Sequence, residues 1–155
     1  MTGRRLGLIA TLGSLGMMIA ALGFQYFGEL PPCKLCYWQR YPHISAIGIG
    51  ILFLLLAYRS LLLLGALSAL TTSIIGVYHV GVEQKWWQGP DTCSSSSSSD
   101  GLNIDELLDQ IMTAPLVRCD EIAWSLMGIS MAGWNAIVSF ALVLMWVTAF
   151  KTTRV

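Results

Sequence analysis

An all-α membrane protein, built as a bundle of four transmembrane helices, is the fold this sequence predicts, and three observations carry that prediction. Of its 155 residues, 55% are hydrophobic and only 12% charged, too apolar for a soluble domain of that size. Four stretches, 6–27, 41–58, 61–82 and 122–150, contain no Asp, Glu, Lys or Arg. Each is apolar all round rather than on one face, as lipid-facing helices are. About 20 residues cross a hydrocarbon core, and all four stretches are near or above that length, 41–58 being the shortest.

The first stretch follows Arg4 and Arg5, as the core of a signal peptide would. It is too long for one and lacks an Ala-x-Ala cleavage site, so it reads as a retained anchor. With four crossings, Arg4, Arg5, Arg59, Lys151 and Arg154 fall on one side of the membrane. All nine acidic residues fall on the other, with Lys34, Arg40, Lys85 and Arg118. The positive-inside rule makes the acid-free side, with both termini, cytoplasmic. The outward segments are then 28–40 and 83–121, and each carries one pair of cysteines. The whole chain forms a single integral membrane domain. A formal net charge of zero and the lack of a basic tract exclude nucleic acid as a partner.

The long outward segment opens with Trp86 and Trp87, suited to the headgroup level, and a Gly-Pro-Asp turn follows in 88–92. Six serines, Ser94 to Ser99, read as a linker. In 103–112, Ile104, Leu107, Leu108, Ile111 and Met112 share one helical face while Asp105, Glu106 and Asp109 take the other. Asn103 and Glu106 have capping-box spacing, so a short amphipathic helix lying on the membrane surface is expected before Pro115.

Four cysteines in an oxidising compartment allow three pairings, and two structural disulfides are the plainest use of them. A bond between Cys93 and Cys119 would close a loop of about 27 residues, worth roughly 3.5 kcal/mol in the chain-entropy account. A bond between Cys33 and Cys36 closes almost no loop. Cys-x-x-Cys is instead the spacing at which thiol and disulfide interconvert readily. Pro31 and Pro32 precede the pair, and a helix starting near Cys33 places Cys33, Cys36 and Arg40 on one face. A helix N-terminus and a guanidinium both favour thiolate. Arg40 alone could simply snorkel to the interface. Beside the cysteines it can donate hydrogen bonds to an anionic or carbonyl oxygen.

His79 lies about one turn inside the third stretch, near the depth of Arg40. It is either a satisfied polar group between helices or a proton donor to the same acceptor. His43 reads as interfacial; Met17, Met18 and Met112 read as packing.

The Cys33-Lys34-Leu35-Cys36 motif with Arg40, the histidine near the end of the third stretch, the separated pair Cys93 and Cys119, and the block from Val117 to Asn135 together resemble the disulfide bond formation protein B (DsbB) family over essentially the whole chain. The resemblance implies a thiol:quinone oxidoreductase of the bacterial inner membrane, with its cysteines periplasmic. It would reoxidise a DsbA-like soluble thiol oxidase. On that pattern Cys93 is attacked by the partner's thiolate, Cys119 passes electrons to Cys33, and Cys36 stands nearest the quinone, ubiquinone or menaquinone. Arg40 would bind a quinone oxygen, with His79 and Met131 lining the pocket. The serine run between Cys93 and Cys119 departs from the family pattern. Two rivals stand beside this reading: a non-catalytic membrane protein with two structural disulfides, and a four-thiolate metal site. The second is disfavoured because such sites normally use two Cys-x-x-Cys knuckles.

Overall fold

The computed structural model describes residues 3–90, 112 and 117–153. Four long helices dominate it: α1 (Gly3–Tyr26), α2 (Lys34–Leu56), α3 (Ser60–Glu83) and α4 (Met131–Thr152). Each is long and apolar enough to cross a bilayer, and a 24-residue helix spans about 36 Å at 1.5 Å per residue. The protein is a multi-pass, four-helix membrane protein. Large side chains such as Leu12, Ile19, Leu55, Leu67 and Leu144 point outward, which is tolerable only where lipid replaces water.

The helices pack in a ring: α1 against α2 and α4, and α3 against α2 and α4. Small residues permit the close approaches. A Cβ on Gly76 would stand 3.1 Å from the carbonyl oxygen of Ala132 and the Cα of Ala136, so α3 and α4 meet almost backbone to backbone there. About three turns along α3, Gly65 lies against the indole of the fully buried Trp146. Phe53, Leu62, Leu142 and Trp146 form the apolar core at that end. The same end carries Arg4 and Arg59: Arg4 donates to the Leu54 carbonyl at 3.1 Å, and Arg59 donates to the Phe150 carbonyl at 3.0 Å with its guanidinium over the Phe150 ring. Cys33, Cys36 and Cys119 lie at the opposite end.

Local chemistry sets the helix ends. Cys33 caps α2 in extended conformation, its sulfur accepting from the Cys36 amide at 3.2 Å. That start lies before the charge-free stretch 41–58, because the segment Lys34 to Arg40, charged at both its ends, is also helical. Ala57 closes α2 in the left-handed region, φ 56°, its N–H reaching the Phe53 carbonyl at 2.9 Å.

The fourth helix departs from the expected span of 122–150. It begins at Met131, capped by the Ser130 hydroxyl, which accepts from the Gly133 amide. Before it lies a minimal antiparallel hairpin, β1 (Ser125–Leu126) with β2 (Ile129–Ser130), in which Ser125 faces Ser130 and Leu126 faces Ile129. The connecting Met127 and Gly128 both have positive φ, 54° and 77°, as a two-residue primed turn requires. Apolar composition cannot distinguish this hairpin from a helical turn; the Gly128 backbone decides it. The serine run, Cys93 and the expected surface helix at 103–112 lie outside the described residues, apart from Met112.

Candidate functional site

Where the cysteine-bearing ends of the helices meet, a cavity of about 410 Å³ opens among α1, α2, α3, α4 and the segment before α4. Its wall is mostly apolar, with Met17, Met18 and Phe24 from α1 and Trp124 from the hairpin approach. The Phe24 and Trp124 rings lie 4.9 Å apart, tying that approach to α1. Cys33, Cys36, Arg40, His79 and Met131, five residues singled out from the sequence, all line this one cavity.

Cys33 and Cys36 are free, with their sulfurs 2.8 Å apart. The contact with Cys36, and then burial, pushes the Cys33 thiol far above its usual range. Cys119 is buried and disulfide-bonded, and it packs in one cluster with Cys33, Leu35 and Val82. Cys93 lies outside the described residues.

Arg40 is anchored across the helix interface. Its guanidinium donates to Gln25 Oε1 at 2.7 Å and to the Ala21 carbonyl at 3.3 Å, both on α1, and lies 5.2 Å from the Tyr37 ring centroid. These contacts occupy part of the fork and leave further N–H donors at the cavity wall.

His79 is buried, 4% exposed. Its Nε2 stands 3.7 Å from Cys33 Sγ and 4.0 Å from Glu83 Oε1. Its Nδ1 lies 2.8 Å from Gln39 Nε2. Glu83 is held in turn by the Ser130 hydroxyl, which joins the end of α3 to the start of α4.

His43 corrects the expectation that it is interfacial. It is 3% exposed, with Nε2 at 3.0 Å from Asn135 Oδ1 and 3.3 Å from Ser139 Oγ. The cause is helical phase: Leu35, Gln39, His43, Ala46, Gly50 and Phe53 form the buried face of α2. Gln39, Glu83 and Asn135 are site residues that the sequence reading passed over. The available signal was the recurrence of polar groups at helical spacing inside otherwise apolar runs, which in a membrane marks the bundle interior.

Beside Cys119, Arg118 donates twice to Asp120, at 3.0 and 2.8 Å, and approaches Glu121 at 3.4 Å. The guanidinium holds the Asp120 carboxyl below its usual range. At the end of α3, the Trp87 indole donates to the Tyr78 carbonyl at 2.9 Å and stacks on the Tyr78 ring, while Trp86 is exposed.

The profile of the family described as Disulfide bond formation protein DsbB matches residues 3–149. The chain belongs to the DsbB family. Among similar proteins, a Disulfide bond formation protein B of Dechloromonas aromatica is 31% identical over 135 residues, covering 82% of this chain and 79% of that protein. One from Albidiferax ferrireducens is 29% identical over 155 residues, covering 92% and 84%. An uncharacterised protein of Rickettsia prowazekii is 27% identical over 143 residues, covering 88% and 83%. No solved structure matches. For a DsbB-family chain the four-helix membrane fold and the Cys-x-x-Cys at the head of α2 are consistent features of one redox protein.

Proposed function

We propose that this DsbB-family chain is a thiol:quinone oxidoreductase of the bacterial inner membrane that reoxidises a DsbA-like periplasmic thiol oxidase. The observation that carries the reading is the shared cavity: a partly buried thiol pair and the Arg40 guanidinium open into one mostly apolar chamber large enough for a ring, at the end of the bundle where Cys119 also lies. Both termini are cytoplasmic and the cysteine end is periplasmic, a reading supported by Arg4, Arg59 and Lys151 standing at the other end.

The cavity fits a quinone head group. Its wall is mostly apolar, the Arg40 guanidinium offers planar donors for a carbonyl oxygen while that of Arg118 is engaged by Asp120, and Cys36 is the less buried of the two cysteines. When bound, a quinone supplies a two-electron, two-proton acceptor, more oxidising than ordinary thiol couples. The chain's own residues do the rest. Partner oxidation takes two electrons and two protons from a dithiol. One partner thiolate attacks Cys93 to form a mixed disulfide, and Cys119 leaves with the electron pair. When Cys33 and Cys36 are joined as a disulfide, the Cys119 thiolate attacks Cys33 and Cys36 leaves with the electron pair. The partner's second thiolate then displaces Cys93, Cys93 displaces Cys33 from Cys119 to restore the Cys93–Cys119 bond, and the Cys33–Cys36 dithiol holds the two electrons at the cavity. Arg40 is positioned to receive negative charge at the wall, and Phe24 and Trp124 help exclude water.

The direct test is a trap. With the partner's second cysteine replaced by Ala, its remaining thiolate attacks the Cys93–Cys119 disulfide and Cys119 leaves with the electron pair. No second partner thiol can release Cys93, so the partner should be recovered crosslinked to Cys93. Recovery through Cys33 instead would overturn the order of the relay.

A further inference from the structure

Which nitrogen of His79 carries the proton is fixed by groups that can act in only one way. Carbonyl oxygens only accept, and two of them anchor a chain of side-chain amides. The Gln39 Nε2 group donates to the Leu35 carbonyl at 3.2 Å, so that end of Gln39 is the NH₂. The Asn135 Nδ2 group faces the Thr72 carbonyl at 3.3 Å and the Thr72 hydroxyl at 3.1 Å. That hydroxyl spends its own proton on the Gln39 carbonyl at 2.9 Å and can therefore only accept from Asn135. Asn135 Nδ2 also donates to Gln39 Oε1 at 2.7 Å. Turning either amide over would set acceptor against acceptor and donor against donor along the chain.

The consequence reaches His79. The second hydrogen of Gln39 Nε2 points to His79 Nδ1 at 2.8 Å, so Nδ1 must be the bare, accepting nitrogen. The proton of a neutral ring then sits on Nε2. That nitrogen faces acceptors: Cys33 Sγ at 3.7 Å and Glu83 Oε1 at 4.0 Å. The two sides of the ring agree.

We propose that Gln39 is a positioning residue that locks His79 as its Nε2–H tautomer, so that His79 meets Cys33 as a hydrogen-bond donor and is withheld from metal coordination. Two N–H groups, from His79 and from the Cys36 amide, then converge on the Cys33 sulfur and receive the charge when Cys33 gives up its proton. That use of the donor rests on the thiol-relay reading; the tautomer does not.

The second consequence is independent of electron transfer. Cys33, Cys36 and His79 place three ligand atoms within 4.8 Å of one another, an arrangement a thiophilic cation could fill. A histidine ligand needs a bare nitrogen toward the metal. Here that nitrogen is protonated, and the bare one is turned away and occupied by Gln39. Metal-binding histidines ordinarily present their other N–H to a carboxylate or carbonyl; Gln39 presents a donor where such sites present an acceptor. The amide protects a thiol pair from capture by a metal while it is reduced.

The test uses the full-length reduced protein in detergent or nanodiscs. Histidine ¹⁵N spectra should show His79 as the Nε2–H tautomer, assigned by its loss in His79→Ala. The titratable groups that face the ring are Cys33, Cys36 and Glu83, so spectra are compared with the pair reduced and oxidised. Cadmium titration, followed by thiolate-to-metal absorption, supplies the other arm. The native chain should bind no more tightly than His79→Ala, since only the two sulfurs bind. Gln39→Glu should bind about 10- to 100-fold more tightly, because a carboxylate would accept from Nδ1–H and leave Nε2 bare. Gln39→Met, free of a buried charge, should lose the single tautomer. An Nδ1–H ring in the native chain, or native cadmium binding as tight as that of Gln39→Glu, would overturn the proposal. Loss of quinone reduction with the tautomer intact would count against the relay and leave the lock standing.

Discussion

Arg40 of α2 donates to Gln25 of α1 at 2.7 Å, so the guanidinium that faces the cavity is held by a helix carrying no cysteine. The orientation of the fork is therefore a property of the α1–α2 interface and not of the thiol pair.

Replacing Arg40 by Met keeps the stem and deletes the fork. Loss of a charge-assisted hydrogen bond costs about 1.5 to 3 kcal/mol, roughly ten- to a hundredfold in quinone affinity or turnover. Steady-state quinone reduction should fall and its apparent KM rise, while single-turnover exchange with a reduced partner continues. Gln25→Leu, which only releases the fork, should give a smaller effect in the same direction. Collapse of partner exchange with an unchanged quinone KM would move Arg40 to the protein interface.

The clamp beside Cys119 responds to acid. The folded Asp120 carboxyl lies below its usual range because Arg118 hydrogen-bonds it, so unfolding or opening must raise its proton affinity. Its contribution is fully present above the unfolded carboxylate pKa and disappears as pH falls through the lower, folded one. Hydrogen exchange over 117–124 should accelerate in that acid window in the native chain. Asp120→Asn should remove this pH dependence while leaving exchange in α3 unaltered. An acid response that persists in the variant would assign it to another group.

Topology can be read by labelling in a background without native cysteines. Glu29 and Ser60 are both exposed and lie at opposite ends of the bundle. A membrane-impermeant thiol reagent applied to spheroplasts should modify Glu29→Cys and spare Ser60→Cys. Labelling of Ser60→Cys in intact cells would invert the assignment of the two sides.

The four helices were legible because charge-free runs of that length have few alternatives, and Cys33, Cys36 and Arg40 were legible because their spacing lies within one helix. The hairpin before α4 was not: residues 125–130 carry no charge and run without a break into the apolar helix they precede, and the backbone of Met127 and Gly128 separates the two. Gln39, Asn135 and Thr72 escaped for a different reason. Their meaning comes from α2, α3 and α4 turning the same faces inward, and no single run of sequence records the mutual rotation of three helices. His43 shows the same limit, since its burial follows from Asn135 and Ser139 on a helix more than ninety positions away.

The central claim, that electrons pass from a partner dithiol through Cys33 and Cys36 to a quinone in the cavity, meets its most direct test in anaerobic mixing of the purified oxidised protein with a reduced thioredoxin-fold oxidase and a quinone. The account predicts one quinone reduced per partner disulfide formed, with Cys36→Ala abolishing quinone reduction while partner mixed disulfides still form. Undiminished quinone reduction in Cys36→Ala, or partner oxidation without quinone consumption in the native chain, would contradict it.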